Sequence, residues 1–226
     1  MNSLGDIVQT LFGEATQTVD IVILLTILTL LPSIVLMLTG FTRIVIVLSF
    51  VRNALGMQQT PPNQVLIGLA LFLTLFVMQP VISRVNEEAY TPFVEGEITQ
   101  DEFIERALVP AREFMLSQVL EADLMFFINL SGNEDIDPDV DETIPTGVLI
   151  PAFLTSEIKQ AFWIGFLVYI PFIVIDMVVA STLMSMGMMM LPPAMISLPF
   201  KVLLFVMIDG WHLIIGRIID SFFRAG

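Results

Sequence analysis

FIVIDMVVASTLMSMGMMMLPPAMISL, Phe172–Leu198, decides the fold. Its flanks are apolar, and its centre, Met184–Met195, holds six of the chain's fourteen methionines. Pro192 and Pro193 cannot continue a helix that arrives from the N-terminal side, so the stretch predicts two apolar helices joined by a methionine-rich turn. Methionine is unbranched, with three rotatable bonds and a polarisable sulfur. Such a run suits either an irregular core or a surface that must close on itself or on a moving object, and composition leaves both readings open.

The whole chain shares the apolar character of this stretch. Hydrophobic residues make up 56% of it and charged residues only 14%, with a mean hydropathy of +0.87, which indicates a membrane-embedded or membrane-associated protein. Without cysteine there are no disulfides, thiolate metal sites or cysteine nucleophiles. A single histidine, no GxSxG, no HExxH and no phosphate-cradling glycine loop argue against an enzyme, and no cofactor is expected. Asp176 and Asp209 lack the GxGD setting of an intramembrane aspartyl protease.

Charge is unevenly spread. Residues 83–147 carry sixteen of the twenty-three acidic side chains and three of the nine basic ones, a local net of -13 out of -14. A lysine-free acidic insertion of this kind can be translocated, whereas cations are retained on the cytoplasmic side. Nucleic-acid binding is not expected, because it calls for a basic patch.

Four long apolar segments organise the remainder: Val19 to about Phe50, Val65–Ile82, Ala161 to about Leu183, and Met195–Ile219. The last three are each close to the roughly 20 residues a helix needs to cross the hydrocarbon core. The first is longer and is interrupted by Pro32, Gly40 and Arg43, so a break or tilt is expected there. The predicted fold is all-α: membrane-associated helical hairpins with a small acidic helical insertion between the second and third segments. Its parts are an amphipathic helix over 1–18, a first apolar pair over 19–82, the insertion over 83–147, and a second apolar hairpin over 148–226.

The amphipathic helix rests on the stripe Leu4, Ile7, Val8, Leu11 and Phe12. Lacking Lys, Arg and a small-residue cleavage site, it is not a signal peptide. Pro61 and Pro62 prevent a continuous helix between the first two segments. In the insertion, Thr99 and Glu102 fit a capping box opening a helical run, Pro110 marks a kink or restart, and a second run extends from Ala111 to about Asn129. Asp135, Asp137, Asp139 and Asp141 invite a calcium reading, but Val140 and Thr146 stand where an EF-hand needs Gly and Glu, so a solvated loop is preferred. Arg43 and Arg52 place the first connector inside and 83–147 outside; Arg217 and Arg224 weigh the other way.

Ionisable groups within apolar segments need partners or water. About a turn near Met190–Pro193, Asp176 and Lys201 lie at depths of roughly 21 and 15 Å, close enough for an ion pair that fixes packing or assembly. Arg43, Glu157, Asp209 and His212 are further candidates for polar contacts. The i, i+3 spacing of Asp209 and His212 allows a proton relay, although a local hydrogen bond is the preferred reading.

SFVRNALGMQQTPPNQVLIGLALFLT, Ser49–Thr74, together with Phe172–Leu198, closely resembles the FliP/SctR family of type III secretion export gates, and the sizeable insertion favours its flagellar branch. The resemblance covers nearly the whole chain. It implies a pore-forming subunit that passes unfolded flagellar subunits across the bacterial inner membrane. It further implies a homo-oligomer, understood as a pentamer, joined by FliQ and FliR with FlhB and FlhA nearby, in contact with membrane lipid at the flagellar basal body. The insertion would face the periplasm. The family's methionine gasket matches Met188, Met189 and Met190, with Met186 beside them. Family members are made with a cleaved signal peptide, so the numbering resembles that of a mature form. In the family the hairpins assemble into a tilted helical array lifted above the usual membrane plane. A second reading, motivated by Asp176, Lys201, Asp209 and His212, is a small-solute or proton-coupled transporter subunit.

Overall fold

The computed structural model describes residues 22, 25–26, 28–30, 32–57, 59–133, 136–138, 140–188 and 191–223. The amphipathic helix expected over 1–18, Asp135, Asp139, and the gasket residues Met189 and Met190 lie outside the described residues. The chain forms two compact units that divide between Met37 and Leu38. In the first, residues 32–37 are helical, and the hydroxyls of Thr26 and Thr29 donate to the carbonyls of Val22 and Leu25 at 2.7 and 2.6 Å.

The second unit is helical, with no strand among the described residues. Helix α1 is Phe41–Ala54, α2 is Asn63–Val85, α3 is Thr91–Val94, α4 is Gln100–Gln118, α5 is Glu121–Ser131, α6 is Thr146–Ser185, α7 is Pro193–Met207 and α8 is Gly210–Phe223. A π-helical turn, Asn86–Tyr90, links α2 to α3. The helix opened at Asn63 therefore runs past residue 82 into the acidic insertion. The third apolar segment is longer than hydropathy suggested: α6 has 40 residues, reaching back from Ala161 to Thr146.

Two cores share α6. In one, Ile44, Val47, Leu48 and Val51 of α1 pack with Ala161 and Phe172 of α6, Phe205 of α7, and Ile214, Ile218 and Phe222 of α8. The i, i+3, i+4 spacing on α1 makes that buried stripe. In the other, Met115, Leu124 and Ile128 of the insertion pack with Ile136, Ile144, Leu149, Ala152 and Phe153, at the N-terminal end of α6. The insertion is thus a folded part of the unit.

Two expectations are corrected. Pro110 does not restart the insertion's helix, since α4 continues through it to Gln118. The break falls at Val119 and Leu120, both extended, and α4 and α5 meet at 113°. Ser156 of α6 explains it: its Oγ accepts the Leu120 N–H at 2.9 Å, supplying a partner that the broken helix does not. The apolar segment Met195–Ile219 is likewise broken, by 66° between α7 and α8. At that elbow Asp209 has φ 50°, a left-handed conformation that Asp tolerates better than most residues. Gly210 follows, and a Cβ on it would lie 2.3 Å from the Phe205 ring, so any side chain there would force the ring to move.

Two stretches, Asn63–Val94 and Thr146–Ser185, are long and apolar enough to cross a membrane, and up to five are if each bent pair counts as one span. The fourfold count read from hydropathy is therefore not fixed by the helices. Large apolar side chains stand exposed on both stretches, among them Phe72, Phe76, Trp163, Phe166 and Val178. Exposure on this scale marks faces that lipid or other chains cover.

Candidate functional site

Polar chemistry in the apolar unit gathers at two places, both on α6. The first centres on Arg43, which is fully buried in α1. Its Nε donates to Glu157 Oε2 at 3.1 Å, and its Nη2 donates to the other carboxylate oxygen of Glu157, itself fully buried. Nη2 also donates to Gln118 Oε1, while Nη1 donates to the carbonyl and the hydroxyl of Ser221, all at 3.1 Å. These five contacts match the five N–H donors of a guanidinium, so the buried cation is saturated. Its carbon Cζ sits 4.0 Å from the centre of the Phe222 ring, a cation–π contact. Gln118 completes the circuit by donating from Nε2 to the Phe222 carbonyl at 3.0 Å. One arginine therefore ties together α1, the end of α4, the N-terminal third of α6 and the end of α8.

Next to it, Asp123 of α5 is buried and accepts from Ser156 Oγ at 2.9 Å and from Lys159 Nζ. Gln160 donates to the Gln118 carbonyl at 2.9 Å. Four neighbouring residues of α6, Ser156, Glu157, Lys159 and Gln160, thus fasten the α4–α5 corner.

The second place is the hairpin of α6 and α7. Lys201 Nζ donates to Asp176 Oδ2 and Ser197 Oγ to Asp176 Oδ1, both at 2.6 Å. Ser197 and Lys201 are i, i+4 on α7 and share a face, so together they grip both oxygens of one carboxylate. Lys201 and Ser197 are buried, whereas the Asp176 side chain is 39% exposed. Alongside the pair an apolar groove of about 510 Å³ runs between the helices, lined by Val174, Val178, Thr182, Ile196 and Phe200 among others.

The turn follows from its sequence. Gly187 has φ 73°, its N–H donates to the Met184 carbonyl at 3.1 Å, and the Met188 N–H donates to the Leu183 carbonyl at 3.0 Å. This pair of bonds on a left-handed glycine terminates α6. Met184, Met186 and Met188 are left 59%, 65% and 44% exposed, so this part of the methionine run does not fill the core of its own chain.

Asp209 and His212 are exposed, and no hydrogen bond joins them among the described residues. Asp209 precedes α8 at the elbow, where its carbonyl accepts the Leu213 N–H at 3.1 Å, so the two do not share a helix face as their spacing suggested. Among the described residues no group of three or more His, Asp or Glu side chains is placed to hold a metal ion. Sequence reasoning missed Gln118, Asp123, Ser156, Lys159, Ser197 and Ser221. Ser197 alone had a local signal, its i, i+4 spacing from Lys201; the others meet across 33 or more residues.

The FliP family profile matches residues 24–218. The "Flagellar biosynthetic protein FliP" of Pectobacterium carotovorum subsp. carotovorum is 56% identical over 208 residues, covering 92% of this chain and 80% of that protein. The protein of the same name from Bacillus subtilis (strain 168) is 53% identical over 209 residues, covering 92% and 94%. That of Aquifex aeolicus (strain VF5) is 46% identical over 210 residues, covering 93% and 88%. With the all-helical fold, the apolar helices and these relatives agreeing over most of its length, the chain belongs to the FliP family.

Proposed function

We propose that this chain is a pore-forming core subunit of the flagellar type III export gate, a structural component and not an enzyme, which passes unfolded flagellar subunits across the bacterial inner membrane at the flagellar basal body. Several copies, five by family resemblance, join FliQ and FliR, with FlhB and FlhA nearby, and residues 83–147 face the periplasm. Each copy presents its α6–α7 turn to the channel, where Met186, Met188, Met189 and Met190 form a soft lip. The Asp176–Ser197–Lys201 lock keeps the two arms of that hairpin in register for assembly.

One observation carries this reading. An exposed methionine turn projects from a hairpin whose arms are held by a carboxylate gripped at both oxygens. A core-filling run would be buried, and a flexible turn would need no such lock. The extensive exposed apolar surface of α2 and α6 fits a subunit completed by lipid and neighbouring copies. The transporter reading rested in part on a relay from Asp209 to His212, and neither the elbow at Asp209 nor the exposure of both groups favours it.

The test is ion leakage through the assembled complex. Changing Met188, Met189 and Met190 together to alanine removes the bulk of the lip, and the expected result is an assembled complex that leaks small ions. A triple-alanine complex that assembles and stays as tight as the parent overturns the gasket.

A further inference from the structure

The described methionines fall into distinct environments. Met115 and Met78 are 3% and 6% exposed, inside helix packing. Met177, Met195 and Met207 are exposed on the apolar faces of α6 and α7, which lipid or a neighbouring copy would cover. Met186 and Met188 differ from both: they sit in the turn itself, on either side of left-handed Gly187, at 65% and 44% exposure. Resting on the proposed function, they line the one aqueous path through the complex. Thioether oxidation depends on solvent access to the sulfur, and its product is polar and chiral where the parent was apolar and pliable.

We infer that the methionine turn is an oxidation site that sets the tightness of the gate, with peroxide as the oxidant. The sulfur lone pair of Met186 or Met188 attacks one peroxide oxygen, an S–O bond forms and the O–O bond breaks. The departing oxygen leaves as water after taking up the transferred proton, so one hydrogen peroxide is reduced as one thioether becomes a sulfoxide. The consequence follows from the turn's construction. Met188 occupies the position after the terminating glycine that, in caps of this kind, commonly packs against the residue at Leu183's position. A sulfoxide there puts a strong hydrogen-bond acceptor on a lip that was apolar. The lip takes up water and closes less well. Methionine sulfoxide reductase reverses the modification, so the effect is a switch and not a lesion.

The experiment treats the assembled complex in membrane vesicles with hydrogen peroxide and reads sulfoxide at each methionine by peptide mass spectrometry alongside ion leakage. Sulfoxide is expected at Met186 and Met188 at least about tenfold sooner than at Met78 and Met115, with leakage rising several-fold in step and falling again after reductase treatment. A variant carrying M186L, M188L, M189L and M190L keeps an apolar lip without sulfur and is expected to remain tight before and after peroxide. Equal oxidation of buried and turn methionines overturns the inference. So does a peroxide-induced leak of the same size in the leucine variant, or full sulfoxide formation with no leak. Reductase reversal in the parent keeps the test decisive even where the leucine variant fails to assemble. An alanine variant that leaks untreated while peroxide has no effect on the parent sinks only the oxidation switch; a tight alanine variant sinks the gasket itself.

Discussion

Replacing Arg43 by alanine is expected to be the most damaging single change outside the turn. Glu157 is fully buried and takes two of the five hydrogen bonds from Arg43; without the arginine its carboxylate has no cation in an apolar unit. Leaving one member of a buried ion pair behind destabilises by about 3–5 kcal/mol, because an uncompensated charge remains. The loss also unpairs Gln118 Oε1 and the Ser221 carbonyl, which places Arg43→Ala at the upper end of that range. For a chain of this size each kcal/mol moves the melting temperature by about 2–4 °C, so a fall of roughly 6–20 °C is expected in thermal unfolding of the detergent-solubilised protein. Arg43→Lys should fall nearly as far, since an ammonium has three donors on a point charge and cannot reach Glu157, Gln118 and Ser221 together. The informative variant is the pair Arg43→Met with Glu157→Leu. Removing both charges should recover most of the lost stability, as apolar replacements of buried pairs commonly do, while the tether from α1 to α4 and α8 stays cut. A drop below about 3 °C for Arg43→Ala, or a double variant no more stable than the single, would refute the account of Arg43 as a saturated buried hub.

Three further outcomes follow from other parts of the structure. Asp176→Lys and Lys201→Asp should each reduce recovery of the assembled complex on native gels, and the two together should restore part of it; a double variant with no recovery argues against a pairwise lock. Gly210→Ala should destabilise by about 1–3 kcal/mol through overlap with Phe205, and Phe205→Leu should relieve it, as read by protein recovered from membranes; an unaffected Gly210→Ala protein removes the steric case. In the insertion, the Thr99 backbone N–H and hydroxyl hold the Glu102 carboxylate below its ordinary range. Its capping contribution is therefore fully present above the ordinary carboxylate pKa and fades as pH falls through the depressed folded value. Circular dichroism should accordingly show Glu102→Ala losing helix at neutral pH and moving closer to the parent under acid, whereas Thr99→Ala, which also removes the acceptor for the Glu102 N–H, keeps a deficit at every pH; a Glu102→Ala deficit that does not change with pH contradicts the capping box.

What could be read from sequence depended on how local the physics is. The capping box, the prolines that bound the turn and the depth match between Asp176 and Lys201 all need only helix geometry over short spans. Arg43 and Glu157 could be singled out as charges in apolar surroundings, but not paired, because 114 residues separate them and only the packing of α1 on α6 brings them together. The elbow at Asp209 was hidden by hydropathy averaging, which reads Met195–Ile219 as one apolar run and takes no account of a single left-handed residue. Pro110 misled in the opposite direction. A proline weakens a helix locally, yet the chain turns nine residues later at Val119, where Ser156 of another helix accepts the Leu120 N–H.

The length of α6 has a mechanical consequence. Glu157, pinned by Arg43, lies 11 residues from Thr146 at one end and 28 from Ser185 at the other, or about 16 and 42 Å along the axis. The ion pair therefore pins α6 off-centre, with a short stretch packed into the acidic insertion and a longer one, interrupted by Pro171, that ends at the turn between α6 and α7.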